Sequence, residues 1–245
     1  MAEDTTEHEL NSDEAAELTR ADLALGDEPH PGRDLALGDE PSPGHDLALG
    51  DEPHSGDEPH DDDENREPEL DPEVAARRAA ALAQVRKFGD PVLKTRARPV
   101  DRFDDALRSE IARMGELMID ALGVGLAATQ VGVLHRVLVY RVQQQSPVAA
   151  LVNPEIEWSG SDQEIMEEGC LSLPAVLVDV ERAIHVRVRA FDEFGEPVLV
   201  EASGLEARVI QHEIDHLDGV LILNRTSRDQ RKEAMRALRE AQAAA

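Results

Sequence analysis

Within residues 104–122, Leu107, Ile111, Met114, Leu117, Met118 and Leu122 recur at spacings of three and four. That is the stripe an amphipathic helix turns toward a core, so the two methionines are expected to be core side chains. After Gly132 the period changes. Segments 136–142, 149–153, 184–191 and 197–202 are short, rich in β-branched residues and often alternating, and are predicted as strands. Phe194-Gly195-Glu196-Pro197 is a turn sequence that would make the last two a hairpin. Helical spacing returns through Leu205, Val209, Ile210, Ile214 and Leu217, and Gly219 stands where a C-terminal cap would fall. Two helix-prone pieces flank this core. One, from residue 71 to about 85, is rich in alanine and arginine and is broken by Gly89-Asp90-Pro91; the other, from 229 to about 243, is basic with Met235 and Leu238 as apolar contacts. Helix, strands and then helices with antiparallel connections argue an α+β fold.

The first 70 residues follow no such pattern. They carry 24 acidic and 3 basic side chains, so most of the formal net charge of -27 belongs to them. DLALGDEP begins at Asp22, Asp34 and Asp46, a period of twelve, and Asp57-Glu58-Pro59-His60 is a partial copy. Each unit sets two leucines and an alanine against several charges, a glycine and a proline, too little apolar surface to offset the entropy of ordering it. Residues 1–70 are therefore expected to be a disordered acidic extension, and 71–245 the folded domain. His30, His45, His54 and His60 recur among its carboxylates, which leaves a metal-sequestering or partner-binding arm as an alternative to a solubilising extension.

No run of eighteen apolar residues exists, and the N-terminus lacks both a basic region with an apolar core and the arginine-rich, acid-poor character of a transit peptide. A cytoplasmic protein is expected, without membrane or specific DNA partners. A single cysteine, Cys170, excludes an intrachain disulfide.

Candidate chemistry concentrates in three blocks. In Gln211-His212-Glu213-Ile214-Asp215-His216, two histidines four residues apart share one helix face, so both imidazoles reach one metal ion while Glu213 projects beside it. A metal there would lower the pKa of a water and a carboxylate would take its proton. Alone, the motif is equally compatible with histidines falling in register by chance. Cys170, in Glu167-Glu168-Gly169-Cys170-Leu171-Ser172, offers a soft third ligand that would leave one open position, the arrangement of a catalytic site. Gly123-Val124-Gly125-Leu126-Ala127-Ala128-Thr129-Gln130 is either a glycine-rich turn after a helix or a place where backbone approaches an extended substrate and Gln130 offers its amide to an oxyanion.

In this order and at these separations, GVGLAATQ, EGCLS and QHEIDHLDG resemble the signature motifs of peptide deformylase, with Gly89-Asp90-Pro91-Val92-Leu93 matching the start of that domain. The resemblance spans roughly residues 82–226. It implies antiparallel or mixed sheets packed around a central metal-binding HExxH helix, and removal of the formyl group from N-formylmethionine of nascent polypeptides, with release of formate. Carried over by position, it implies Cys170, His212 and His216 as metal ligands, Glu213 as general acid/base, and Gln130 with the backbone N–H of Leu171 as oxyanion donors. The implied metal is Fe2+, with Zn2+, Ni2+ or Co2+ as alternatives, and the implied partners are formylated nascent chains and, transiently, the ribosome, for which the basic segment 228–239 is a candidate contact. Val124, Gly125, Gly169, Leu205 and Val209 are candidate substrate contacts, with Val124, Leu205 and Val209 walling a methionine pocket. The resemblance further pairs Glu168 with an arginine, here Arg182, to hold the ligand strand, and gives Asp215 a supporting role. His135 and His185 match no ligand position. A zinc metallopeptidase and a catalytically inactive deformylase-like binding protein are the rival readings; the first shares HExxH but usually takes its third ligand downstream.

Overall fold

A computed structural model describes residues 70–244, with side chains to 241. The repeats, their four histidines and the expected disorder of the extension lie outside the described residues. Helix α1 (Pro72–Leu82) starts at Asp71, whose carboxylate accepts the N–H of Glu73 at 2.8 Å, with proline in the first turn. Helix α2 (Asp105–Asp120) is capped by Asp104 and buries Leu107, Ile111, Met114, Leu117 and Met118, the expected stripe and both methionines. Leu122 departs from that stripe. The helix ends two residues before it, and Leu122 adopts a left-handed backbone (φ 59°) with a half-exposed side chain.

Seven strands follow: β1 (Gly125–Ala127), β2 (Val137–Tyr140), β3 (Ala149–Ser159), β4 (Gln163–Cys170), β5 (Leu173–Ala183), β6 (His185–Phe191) and β7 (Pro197–Ser203). Five form one sheet in the order β1-β2-β3-β6-β7, while β4 and β5 pair only with each other. Every pairing of these strands is antiparallel, the first of the two expected arrangements, and the one parallel bridge among the described residues is isolated, Arg98 with His135. β1, β4 and β5 had no strand expectation. β1 is three residues long, too short for alternation to register, and the first five residues of β4 are all exposed, so its polar and apolar positions do not alternate.

Helix α3 (Gly204–Leu217) and helix α4 (Arg228–Ala244) complete the chain. Side chains of β2 alternate between two cores. Val137 and Val139 join the α2 cluster with Leu107, Ile111 and Met118, while Leu138 and Tyr140 join the α3 cluster with Ile210, Ile214 and Leu217. The large sheet is thus covered by α2 on one face and α3 on the other, and a fully buried leucine there contributes on the order of 1.5–3 kcal/mol. A third cluster joins β5 to α4 through Val178, Val180, Ala234 and Leu238. Gly219 ends α3 at φ 74°, where a Cβ would fall 2.7 Å from the Lys94 carbonyl oxygen; glycine is required there on both counts. Among the described residues no helix is long and apolar enough to cross a membrane.

Candidate active site

His212, Glu213 and His216 stand on the last turns of α3, Cys170 at the end of β4, and Gln130 on a 3-10 turn just after β1. The ligand atoms of Cys170, His212 and His216 lie within 4.8 Å of one another, and Cys170 Sγ is 3.1 Å from His216 Nε2. Helical periodicity alone brings the histidines together, their rings meeting edge to face at 5.0 Å. Cys170 arrives only because the β4–β5 hairpin is laid against α3.

What lays it there is a buried ionic hub. Glu168 Oε1 accepts from Arg182 Nε (2.6 Å) and Arg208 Nη1 (2.7 Å); Oε2 accepts from Arg182 Nη2 (2.9 Å) and His212 Nδ1 (2.9 Å). Four donors use the carboxylate's four lone-pair sites. Burial would raise the Glu168 carboxyl, but the hydrogen bonds and charges of His212 and Arg182 outweigh it and hold it down at about 2. The expected Glu168–Arg182 pair is present, and Arg182 Nη1 also donates to Asp215 at 2.8 Å. Arg208 had not been singled out. Its signal was a charge set among the apolar positions of the α3 pattern, beside Val209; it is 6 % exposed and also donates to the carbonyl oxygens of Val180 and Glu164.

A consequence falls on His212. A hydrogen bond from Nδ1 to Glu168 fixes the tautomer that leaves the Nε2 lone pair free to ligate. Burial would lower the basicity of this imidazole, yet bonding to Cys170 and Glu168 raises it to about 10. Cys170 is shifted the opposite way: burial opposes ionisation, but the charges of His216 and His212 take the thiol well below its ordinary range. Cys170 thus favours the thiolate and His212 the imidazolium, whose Nε2 proton a bound metal ion would displace.

Glu213 is buried, its Oε2 has no hydrogen-bond partner among the described residues, and burial raises its pKa. It packs on Gly125: a Cβ there would meet the Glu213 Cγ and Cδ at 2.9 Å. The glycine therefore makes room for the carboxylate as well as bordering the cavity. Gln130 is 1 % exposed, its Oε1 accepting the Ala127 N–H at 2.9 Å; this turns its Nε2 toward Ser172 Oγ (3.3 Å) and Cys170 Sγ (3.7 Å). Thr129 Oγ1 donates to the His216 carbonyl at 3.1 Å, tying the same turn to α3. A strap at 86–88 holds both loops. The Arg86 N–H donates to the Gln130 carbonyl, Lys87 Nζ to the Leu171 carbonyl at 2.9 Å, and the Phe88 N–H to the Ser172 carbonyl. Lys87 carries no local signal in the sequence, since nothing beside it distinguishes it from other lysines.

These groups open into a cavity of about 540 Å3 lined by Val124, Gly125, Gln130, Gly169, Cys170, Leu171, Leu205, Val209, His212 and Glu213 among others, so every candidate site residue except His216 borders it. His216 lies beneath, 1 % exposed. Val124 and Leu205 are exposed toward the cavity, whereas Val209 is buried and belongs at once to the wall and to the α3 core. His135 pairs with Glu110 at 2.8 Å and His185 is exposed, both away from the cluster.

The family model for polypeptide deformylase matches residues 82–232. The chain belongs to this family. Among its relatives, the peptide deformylase of Acidothermus cellulolyticus is 52 % identical over 66 % of this chain and 88 % of its own length. Peptide deformylase 1 of Corynebacterium glutamicum is 47 % identical over 65 % and 95 % respectively. The crystal structure of the Synechococcus elongatus peptide deformylase in complex with actinonin has a TM-score of 0.61 at 44 % identity, covering 64 % of this chain and 86 % of that one. The arrangement of helices and antiparallel sheet is accordingly that of the deformylases, a metal-dependent family.

Proposed function

We propose that this protein hydrolyses the N-formyl group of N-formylmethionyl nascent polypeptides and releases formate. The observation that carries the reading is the Cys170–His212–His216 cluster with the buried, unpartnered carboxylate of Glu213 beside it at the base of an apolar-walled cavity. The donor set fits a divalent transition metal: a thiolate, an imidazole whose tautomer is set by Glu168, and a second imidazole. An ion held by these three residues would supply polarisation of the formyl carbonyl and a water acidic enough to ionise near neutrality. We assign that ion as Fe2+, with Zn2+, Ni2+ or Co2+ able to use the same donors.

The chain's own groups do the rest. Glu213, made more basic than a surface carboxylate by its burial, takes a proton from the attacking water and delivers it to the leaving amine. Gln130 Nε2 and the N–H of Leu171 face the oxygen that gains charge. The methionine side chain lies against Val124, Leu205 and Val209. Gly125 and Gly169, lacking side chains, let the peptide backbone come close. The metallopeptidase reading is disfavoured by the upstream cysteine ligand, and the inactive-homologue reading by the completeness of the site.

A nascent-chain substrate implies a cytoplasmic site of action and a transient ribosome contact, for which the exposed Arg228, Arg231, Lys232, Arg236 and Arg239 of α4 are proposed. We further propose that 1–70 is a disordered extension and that 71–245 suffices for catalysis. Formate release from formyl-Met-Ala-Ser by anaerobically purified protein tests the activity; no formate with iron, nickel or cobalt in turn refutes it. Metal analysis of the same preparation tests the iron assignment. A chain lacking 1–70 is expected to retain its rate on short peptides.

A further inference from the structure

Among the described residues only three non-glycine residues have positive φ: Leu122, Asn153 and Ala175. Asn153 is a residue type that tolerates this conformation, and its side chain is fixed by two hydrogen bonds to the Val100 backbone. The other two both line the cavity.

Leu122 is the more informative. It occupies the position after the C-cap of α2, where the N–H of Gly123 bonds the Met118 carbonyl and the N–H of Leu122 bonds the Ile119 carbonyl. This helix stop demands a left-handed residue, which glycine or asparagine supplies without strain and leucine does not. Core burial does not offset that strain, because the side chain is 52 % exposed. What the leucine gains by its position is a place on the cavity wall. Its neighbour Gly123 abuts the site: a Cβ there would lie 3.1 Å from Leu171 Cδ1. Strain in an exposed apolar residue at a binding cavity is the pattern of a side chain kept for its ligand contact.

We propose that Leu122 is a specificity-determining residue that contacts the substrate side chains following the formylmethionine, favouring apolar ones; this rests on the deformylase reading. The first side chain is held at Val124 and Val209, close to His212 and Glu213. A chain leaving that position toward solvent meets the rim, where Leu122 is joined by the exposed Met166 and Leu177 of the β4–β5 hairpin.

The test compares kcat/KM for formyl-Met-Leu-Ser and formyl-Met-Ala-Leu with that for formyl-Met-Ala-Ser in the metal-loaded full chain and its Leu122→Asn and Leu122→Ala variants. The wild type is expected to prefer at least one leucine-bearing peptide, and both variants to lower that preference by about three- to tenfold. Leu122→Asn is also expected to raise Tm by about 2–4 °C by relieving the left-handed strain, which Leu122→Ala leaves largely in place. No preference in the wild type, or an unchanged preference in both variants, overturns the assignment of Leu122 alone. Absence of formate from all three peptides with the wild type overturns it together with the deformylase reading.

Discussion

Replacing Gly125 by alanine should disable the site while leaving the fold standing. Gly125 has no positive φ, so its backbone accepts alanine, and the change removes some conformational freedom from the unfolded chain, worth about 0.4–1 kcal/mol. The added Cβ would clash first with Glu213 Oε1 and would lie 2.9 Å from its Cγ and Cδ, whereas carbon atoms rest at about 3.5–4.0 Å. Glu213 must then retreat by roughly 0.6–1 Å, at an overpacking penalty of about 1–3 kcal/mol. A displacement of about 1 Å in a group that must meet both the attacking water and the leaving amine costs on the order of a hundredfold in rate, or about 2.7 kcal/mol in the barrier. None of the atoms nearest the new methyl belongs to Cys170, His212 or His216, so metal content should stay near one per chain. The expected result is a kcat on formyl-Met-Ala-Ser reduced about a hundredfold, with little change in bound metal and a Tm within a few degrees of wild type. A kcat within threefold of wild type would show that the position of Glu213 is not what limits the reaction.

Glu213→Gln removes the proton acceptor at nearly constant shape; kcat should fall by about 10²–10⁴ with metal retained, and turnover near the wild-type rate in a formate assay would refute the acid/base role. Arg208→Met strips one donor from Glu168 in a buried hub, and thermal or urea unfolding should register a loss of about 3–5 kcal/mol; a loss under 1 kcal/mol would mean the hub does not hold the hairpin to α3. Tyr140 donates to Glu206 at 3.0 Å, and burial, with the Glu206 charge and that hydrogen bond adding to it, raises its phenol well above its ordinary value of 10. Because the folded pKa lies above the unfolded one, the stabilisation is whole below about pH 10 and is lost as pH climbs toward the folded value. Tyr140→Phe should therefore lose stability less steeply than wild type above pH 10, and parallel denaturation curves for the two proteins across that range would contradict the assignment.

Features set by short-range geometry were legible in the chain. Four residues separate His212 from His216, and a helix needs nothing more to place them on one face. The stripe of α2, the β6–β7 hairpin around Gly195 and the stop at Gly219 likewise follow from local periods and local backbone demands. The family motifs singled out Cys170, Gln130 and Glu213, and these three come together in the fold.

Other features depend on how strands and helices are laid on one another. The four bonds to Glu168 join residues 14 to 44 positions apart, and Arg208 looked like a misplaced charge until β4 and β5 supplied its acceptors. Lys87 reaches the Leu171 carbonyl across 84 positions. Leu122 read as one more member of an apolar stripe, because periodicity does not reveal that the helix ends two residues earlier and turns that side chain to the cavity. The sequence by itself determined which residues can ligate and exchange protons, since that is written in their chemistry and nearest-neighbour spacing. Only the tertiary structure decided which carboxylate orients His212, which glycine admits Glu213 and which leucine faces the cavity, since each requires two distant segments in register.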